Sequence, residues 1–412
     1  MKNEVEQLKY NTKLFLQRKR RKRLEQGHPW VFQSEVERIE GELSQGQIVQ
    51  IVNHQGVFLA LGYANPKSQI IARVLSYHPD EMVDASFFIR RIQQAKEYRH
   101  RFLPGVKSYR AIYGEADFLP GLIVDKYEDY LVVQILSYGM ERLKPYILEG
   151  LLTVFKPKGI YLRNDVPVRE LEGLQQETGI WYGEVPRHVE ITENNLHILV
   201  DVYEGQKTGY FFDQRENRAA LKPLMRGWGE KGTEGAEVLD CFSHTGGFAI
   251  HAAHYGAKEV TAVDISELAI ETAKRNAELN GLEDRIQFEV ANVFDFLREK
   301  EKEGRQYDVV ILDPPAFAKS RSAVKGAYRG YKEINLRGMK LLREGGFLIT
   351  ASCSYHMTPD LFVQMVQDAA SDAHKILRPV TFVGAGKDHP EIAGVDEGHY
   401  LKFAIYEVRS RG

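Results

Sequence analysis

The sequence predicts an α/β chain: a doubly wound parallel sheet in its carboxyl-terminal half, preceded by a small β-barrel and a middle α+β domain. Three observations carry this. From Glu237 onward, short apolar strands alternate with helical stretches of about 12–15 residues, the pattern of parallel βαβ units. Several of those strands run into polar or rigid residues at their carboxyl ends, where an open α/β sheet binds its ligands. Ahead of them, apolar runs are broken by Asn/Gly/Pro turns, as in short antiparallel strands. The expected bounds are 1–75 for the barrel, 76–195 for the middle domain and 196–412 for the sheet domain.

The sheet domain is organised around the stretch Glu237–Ile250. A strand ends at Asp240-Cys241, the loop Phe242-Ser243-His244-Thr245-Gly246-Gly247 follows, and a helix begins. Paired glycines let the backbone take positive φ and approach a ligand without a Cβ in the way. The helix start adds unsatisfied N–H groups. A second strand, Glu259 to Asp264, closes on another acid 24 residues after Asp240, a spacing suited to gripping a ribose. Ser266 to Asn280 reads as a helix closed by Gly281, and a third strand, Ile286 to Val290, leads to Asn292. Tyr307 to Leu312 runs into Asp313-Pro314-Pro315-Ala316-Phe317. Gly346 to Thr350 runs into Ala351-Ser352-Cys353-Ser354.

Composition sets the bounds. A chain of 412 residues holds two or three domains with ample core. It has no apolar run long enough to span a bilayer, and Met1-Lys2-Asn3-Glu4 does not open a signal peptide, so no membrane partner is expected. Two cysteines, Cys241 and Cys353, make neither a disulfide framework nor a metal-ligand spacing. No metal and a reducing, cytoplasmic setting are the expectation, with a homodimer left open. The net charge of −2 hides an asymmetry: residues 1–110 hold 19 Lys and Arg against 11 Asp and Glu, a balance of +8 that leaves −10 for the remainder. A basic amino-terminal third points to a polyanionic partner.

Arg18-Lys19-Arg20-Arg21-Lys22-Arg23 is an unbroken basic run, expected on the surface because like charges this dense repel one another. Trp30 and Phe32 follow as apolar anchors or stacking faces for bases. Gln47–Val52, Val57–Gly62 and Ile70–Leu75 are the barrel strands. Asp84 caps a helix to Phe102, with Phe88, Ile92, Ala95 and Tyr98 on one face and Arg90, Arg91, Arg99 and Arg101 elsewhere. Gly205 to Arg218, directly before the sheet, is read as a lid in which Phe211 or Phe212 is apolar and Asp213, Gln214 or Arg215 supplies hydrogen bonds. A loop from Phe317 to Tyr331 carries Lys319, Arg321, Lys325 and Arg329 beside Tyr328 and Tyr331, a composition suited to phosphates and stacked bases.

The glycine turn is not G-x-G-x-x-G, and no P-loop lysine follows it. Asp-x₅-Gly-Gly, a second acid, Asn292 and Asp-Pro-Pro together resemble the class I S-adenosylmethionine-dependent methyltransferases. In that family the glycine turn meets the methionine part, the second acid takes the ribose hydroxyls, and the residue after the third strand binds the adenine amine. The resemblance thus implies Asp240, Ser243, Gly246, Gly247, Asp264, Asn292 and Asp313 around the cofactor, with Asn292 standing where relatives commonly have Asp. Gly205–Arg218, Asp313–Phe317, Gly330-Tyr-Lys-Glu-Ile-Asn335 and Ser352-Cys-Ser354 further resemble the bacterial 23S ribosomal RNA (cytosine-C5)-methyltransferases, which carry an amino-terminal PUA domain. That resemblance implies RNA as partner; on their charge, Arg18 to Arg23 and Lys319, Arg321 and Arg329 are the residues expected to touch it.

C5 of a pyrimidine is too weak a nucleophile to take a methyl group unaided. A thiolate adding at C6 turns the ring into an enamine whose C5 can attack, so the reaction needs an accessible cysteine. Cys353 matches the family's nucleophile, while Cys241 reads as packing. Asp313 could hydrogen-bond the ring near N3 or its exocyclic amine and so support the addition; the base that removes the C5 proton is unassigned, with Asp313 a candidate. Three other readings stay open from the sequence: a uracil-C5 enzyme, a base-nitrogen methyltransferase needing no cysteine, and a non-catalytic RNA-binding or ribosome-assembly factor.

Overall fold

The structure, a computed structural model, describes residues 10–20, 22–318 and 320–411. The chain folds into two compact units, each built from segments distant in sequence. The first takes in the chain as far as Ile191, then Val200–Phe212 and Lys387–Gly398; the second comprises Thr192–Leu199, Asp213–Gly386 and His399–Gly412. Among the described residues no helix is long and apolar enough to cross a membrane.

The first unit opens with a six-stranded sheet in the order Trp30–Phe32, Ile70–Ser76, Phe58–Ala64, Ile48–Val52, Lys13–Leu16, Val36–Glu40. Three of these strands match the expected ones. Lys13–Leu16, Trp30–Phe32 and Val36–Glu40 are additional, and too short to show a period in sequence. Alternate side chains from the strands, Leu14, Val31, Val49, Ile51, Ala60 and Ala72 among them, meet in one core. A five-stranded sheet follows, from Glu177–Gly183 through Gly159–Asn164, Tyr130–Ile135 and Leu122–Tyr127 to Tyr109–Tyr113. Helices Ala85–Phe102 and Lys144–Phe155 contribute Phe87, Phe88, Ile92, Ile147 and Leu151 to its core.

Asp84 caps the first of those helices as expected, accepting from the Phe87 N–H. The polar face is different. Tyr98 is 38% exposed, whereas Arg99 is fully buried and forms an ion pair with Asp117, one of its two bonds being Nη2 to Oδ2 at 2.7 Å. Arg99 also donates to the carbonyls of Arg110 at 2.9 Å and Asp388 at 2.8 Å. Position 99 falls a helical turn from Ala95, so it belongs to the buried face by geometry; its charge concealed this. Asp117 also accepts from the Tyr113 N–H, which makes its turn structural.

The second unit is a seven-stranded sheet. Its strands are β1 (Glu237–Cys241), β2 (Glu259–Asp264), β3 (Ile286–Val290), β4 (Tyr307–Leu312), β5 (Leu342–Ser352), β6 (Lys375–Val383) and β7 (Lys402–Ser410). The intervening helices are α1 (Gly247–Tyr255), α2 (Glu267–Leu279), α3 (Val293–Glu303), α4 (Val324–Lys340) and α5 (Pro359–Asp372). Spatial order is β3-β2-β1-β4-β5-β7-β6. The first five strands are mutually parallel, and β7 runs antiparallel to β5 and β6. The chain starts at β1, steps outward to β3, then returns to lay β4 on the other side of β1. That reversal leaves a crevice at the carboxyl ends of β1 and β4.

Removing the buried cation at position 99 would strand Asp117. Arg99→Met should cost the first unit about 3–5 kcal/mol, read as a lowered denaturant midpoint by a probe of that unit's own transition, with the second unit's transition unchanged.

Candidate active site

Strand register fixes the site. Asp240 pairs with Ile311 and Cys241 with Leu312, so Asp313 leaves β4 level with the residue that follows β1. Leu312 pairs in turn with Thr350, which puts Cys353 three residues past that point on the exit of β5. From β7, Lys402 returns opposite Ser352.

The loop after β1 is tightly wound. Phe242, His244 and Gly246 take φ of +62°, +50° and +83°. For the two non-glycine residues such a backbone costs on the order of 1–3 kcal/mol each, strain of the kind concentrated at functional sites. It is held by Ser243 N–H to Val263 O at 3.0 Å and His244 N–H to Asp264 Oδ2 at 2.9 Å. A Cβ on Gly246 would lie 3.0 Å from Ala273 Cβ and 3.1 Å from Ile250 Cδ1. Positive φ and lack of room together require glycine there.

Two buried groups in this crevice lack partners. Neither carboxylate oxygen of Asp240 nor the Ser243 hydroxyl has a hydrogen bond among the described residues, and Asp240 is 1% exposed. Burial first, and then the charge of Asp313, push the Asp240 carboxyl well above its usual range; the Ala249 N–H opposes this without closing a hydrogen bond. Two acids side by side, one of them desolvated and unbonded, are arranged to receive a cationic ligand group. Asp264, half-buried at the end of β2, uses one oxygen for His244 N–H and the other for Ser266 N–H, each at 2.9 Å. A carboxylate offers about four acceptor positions, so it can take hydroxyls as well. Asn292 is exposed and caps α3, its Oδ1 accepting from Phe294 N–H at 3.0 Å and Asp295 N–H at 3.4 Å. The rings of Phe242, Phe294 and Phe317 lie nearby, with centroids 6.3 and 6.0 Å from Phe317 to the other two.

The sulfur side is a clamp. Ser352 and Ser354 are buried and both reach the Tyr331 hydroxyl of α4 at 3.0 Å, while Ala318 N–H donates to Ser354 Oγ at 3.2 Å. Between the two serines Cys353 is partly exposed, its Sγ 4.0 Å from the Pro314 carbonyl. Cys241 is fully buried in the core, and burial pushes its thiol well up, which makes it the inert one. Asp313 is half-buried, with Oδ2 accepting from Gln214 Nε2 at 3.1 Å.

The segment read as a lid is built in. Phe212 is 2% exposed and packs on Tyr127 and Tyr210 in the first unit. Asp213, Gln214 and Arg215 are buried in the second. Arg218 donates twice to Glu193, at 2.6 and 2.9 Å, and lies beneath Gly247, where a Cβ would approach its Cδ to 3.4 Å. Burial would raise the Glu193 carboxyl, but Arg218, His251 and Arg215 outweigh it and hold it low.

The sheet unit therefore gathers Asp240, Ser243, Gly246, Gly247, Asp264, Asn292, Asp313 and Cys353 along one end of its strands. Arg18, Lys19 and Lys22 are exposed in the other unit. The expectation that the whole run is surface charge is corrected at Arg20, whose side chain is 7% exposed and grips Glu25 with bonds of 3.0 and 2.7 Å. Arg23 lies over the Phe32 ring at 5.2 Å. Arg21 and Lys319 lie outside the described residues. Arg321 and Arg329 are exposed, but the expected loop is largely helix α4. Its tyrosines are no stacking platform: Tyr331 is core, and the Tyr328 hydroxyl donates to Asp368 at 2.6 Å. Among the described residues no His/Cys/Asp/Glu group could hold a metal ion. Sequence reasoning missed Lys402, a buried lysine whose signal was its place in Leu401-Lys402-Phe403-Ala404-Ile405.

Comparison with known proteins is consistent along the chain. The family described as S-adenosylmethionine-dependent methyltransferase matches residues 176–407, and the PUA-like domain matches residues 14–77. Ribosomal RNA large subunit methyltransferase I of Aeromonas salmonicida (strain A449) is 43% identical over 400 residues, covering 96% of this chain and 99% of that protein. The protein of the same name from Escherichia coli O139:H28 is 42% identical over 396 residues, covering 95% and 98%. Among solved structures, a candidate S-adenosylmethionine-dependent methyltransferase from Streptococcus mutans superposes with a TM-score of 0.79, covering 96% of this chain and 99% of that one. A second structure, of a candidate methyltransferase complexed with SAH, gives 0.81 over the same shares. Both are 23% identical and show the shared fold.

Proposed function

Because the chain belongs to the S-adenosylmethionine-dependent methyltransferases, alongside the ribosomal RNA large subunit methyltransferase I proteins that it matches almost end to end, we propose that it forms 5-methylcytosine in 23S ribosomal RNA through a covalent Cys353 adduct. The observation that carries this reading is the one accessible thiol, Cys353, at the mouth of the crevice formed by β1, β4 and β5. Methylation of a ring nitrogen needs no such group.

The unpartnered buried carboxylate of Asp240 and the hydroxyl of Ser243 fit the polar, cationic methionine part of S-adenosylmethionine, with Gly246 and Gly247 admitting its close approach. Asp264 keeps acceptor positions for the ribose hydroxyls. Asn292 spends its oxygen on the α3 cap, so of its amide the N–H₂ is the part better suited to the adenine edge. Asp313 serves both ends, next to Asp240 and facing the base. When bound, the cofactor supplies an electrophilic methyl group on a sulfonium.

The residues of the chain do the rest. The Cys353 thiolate adds to C6 of the cytosine, and the electrons of the C5–C6 double bond move onto the ring, making C5 nucleophilic. Asp313 hydrogen-bonds the ring near N3 or its exocyclic amine and so holds it for the addition. After C5 is methylated, a base, for which Asp313 is the candidate, takes the C5 proton; the electrons of that C–H bond restore the double bond and expel the sulfur as thiolate. Residues 1–75, with Arg18, Lys19 and Lys22 exposed, are the proposed RNA-holding part, 76–195 the middle domain and 196–412 the methyltransferase part.

Cys353→Ala should lower turnover on ribosomal RNA by about three orders of magnitude or more while leaving S-adenosylmethionine affinity by calorimetry unchanged; near-normal turnover would support nitrogen chemistry instead. Charge reversal at Arg18, Lys19 and Lys22 should weaken RNA binding more at low salt than at high salt. Each lost phosphate contact should reduce the slope of log affinity against log salt by about 0.7–0.9. Equal weakening at every salt concentration would contradict the electrostatic role.

A further inference from the structure

Lys402 sits in β7 among apolar neighbours and is 2% exposed. A buried ammonium is unfavourable unless it is bonded or paired. Its Nζ donates to the Ser354 carbonyl at 2.7 Å and the Tyr400 carbonyl at 2.8 Å, both neutral acceptors. A lysine has three N–H donors, so these bonds leave one. No carboxylate among the described residues compensates its charge; the ionisable group that acts on it is the Cys353 thiol. Since Lys402 pairs with Ser352 across the strands and reaches Ser354 with its ammonium, it spans the residue between them.

We propose that Lys402 is a positioning residue that holds its positive charge against the Cys353 sulfur and so maintains the thiolate that attacks C6. This rests on the reading of Cys353 as the nucleophile. In the resting enzyme the thiol loses its proton to solvent on its exposed side, and Lys402 keeps all three of its own. When C5 has been methylated and deprotonated, the sulfur leaves as the same thiolate beside the same cation.

Two further titratable groups near the sulfur do not supply that charge. From α4 comes Tyr331, whose phenol burial pushes up and keeps neutral. From the exit of β4 comes Asp313, one residue before the carbonyl that Cys353 touches and of the wrong sign. Burial pulls Lys402 down to about 8, and the charge of Cys353 opposes that fall, so at neutral pH the ammonium persists.

The test is the pH profile of iodoacetamide alkylation at Cys353 in the full-length protein, read by peptide mass spectrometry. The wild-type midpoint should lie below the ordinary cysteine value of about 8.5. Lys402→Met should raise the midpoint by about one pH unit or more, slowing alkylation at pH 7 about tenfold, and Lys402→Arg should restore it. A wild-type midpoint at or above the ordinary value, or an unchanged profile in folded Lys402→Met, would overturn the proposal. The wild-type measurement decides even if the variant fails to fold. Because alkylation needs no turnover, its outcome is separate from that of Cys353→Ala: a depressed thiol together with methyl transfer surviving in Cys353→Ala would leave the charge pairing and sink the catalytic reading.

Discussion

Parallel hydrogen bonding among β1, β4 and β5 is the constraint on which the rest of the sheet unit depends. It aligns Asp240 with Ile311 and Leu312 with Thr350, so that three chain segments leave the sheet at nearly the same level. A slip of one residue in either pairing would turn every side chain of a strand to the opposite face. β1, β4 and the second half of β5 are largely buried, which gives the register its strength. The candidate site residues are then simply the first ones beyond the strand ends: the wound loop after Cys241, Asp313 after Leu312, and Cys353 after Ser352.

Charge at that edge is unevenly distributed. The cofactor side is acidic and in part desolvated, and Asp240 is lifted well above the usual carboxylate range by burial and by Asp313. The opposite side carries a buried lysine pulled down to about 8. Each is unfavourable alone. On the proposed reading, a cationic methyl donor is drawn toward the acidic side and the Cys353 thiolate is supported on the other. The strained residues Phe242 and His244 lie shortly after Asp240 and on either side of Ser243, both of which are buried without a hydrogen bond among the described residues.

Much of this was legible in the sequence. The strand ends Asp240, Asp264 and Asp313 stand where alternation of strands and helices put them, and helix Asp84–Phe102 began at its cap. What was not legible has one source: charged and aromatic residues look like surface when the sequence does not reveal their partners. Arg99 was set apart from the apolar face because its charge hid a partner, Asp117, 18 residues on, and Arg20 was read as surface because Glu25 does not stand out beside a basic run. Tyr331 resembled a stacking face until its hydroxyl proved to hold two serines around the cysteine. Lys402 was invisible for the same reason, since the strand that pairs with it ends 50 residues earlier.

The most direct test of the central claim is mass spectrometry of nucleosides in large-subunit ribosomal RNA from cells lacking this protein, complemented in turn with wild type and with Cys353→Ala. Loss of one 5-methylcytosine, restored by wild type and not by the variant, is the predicted result. An unchanged 5-methylcytosine content, or its restoration by Cys353→Ala, would contradict it.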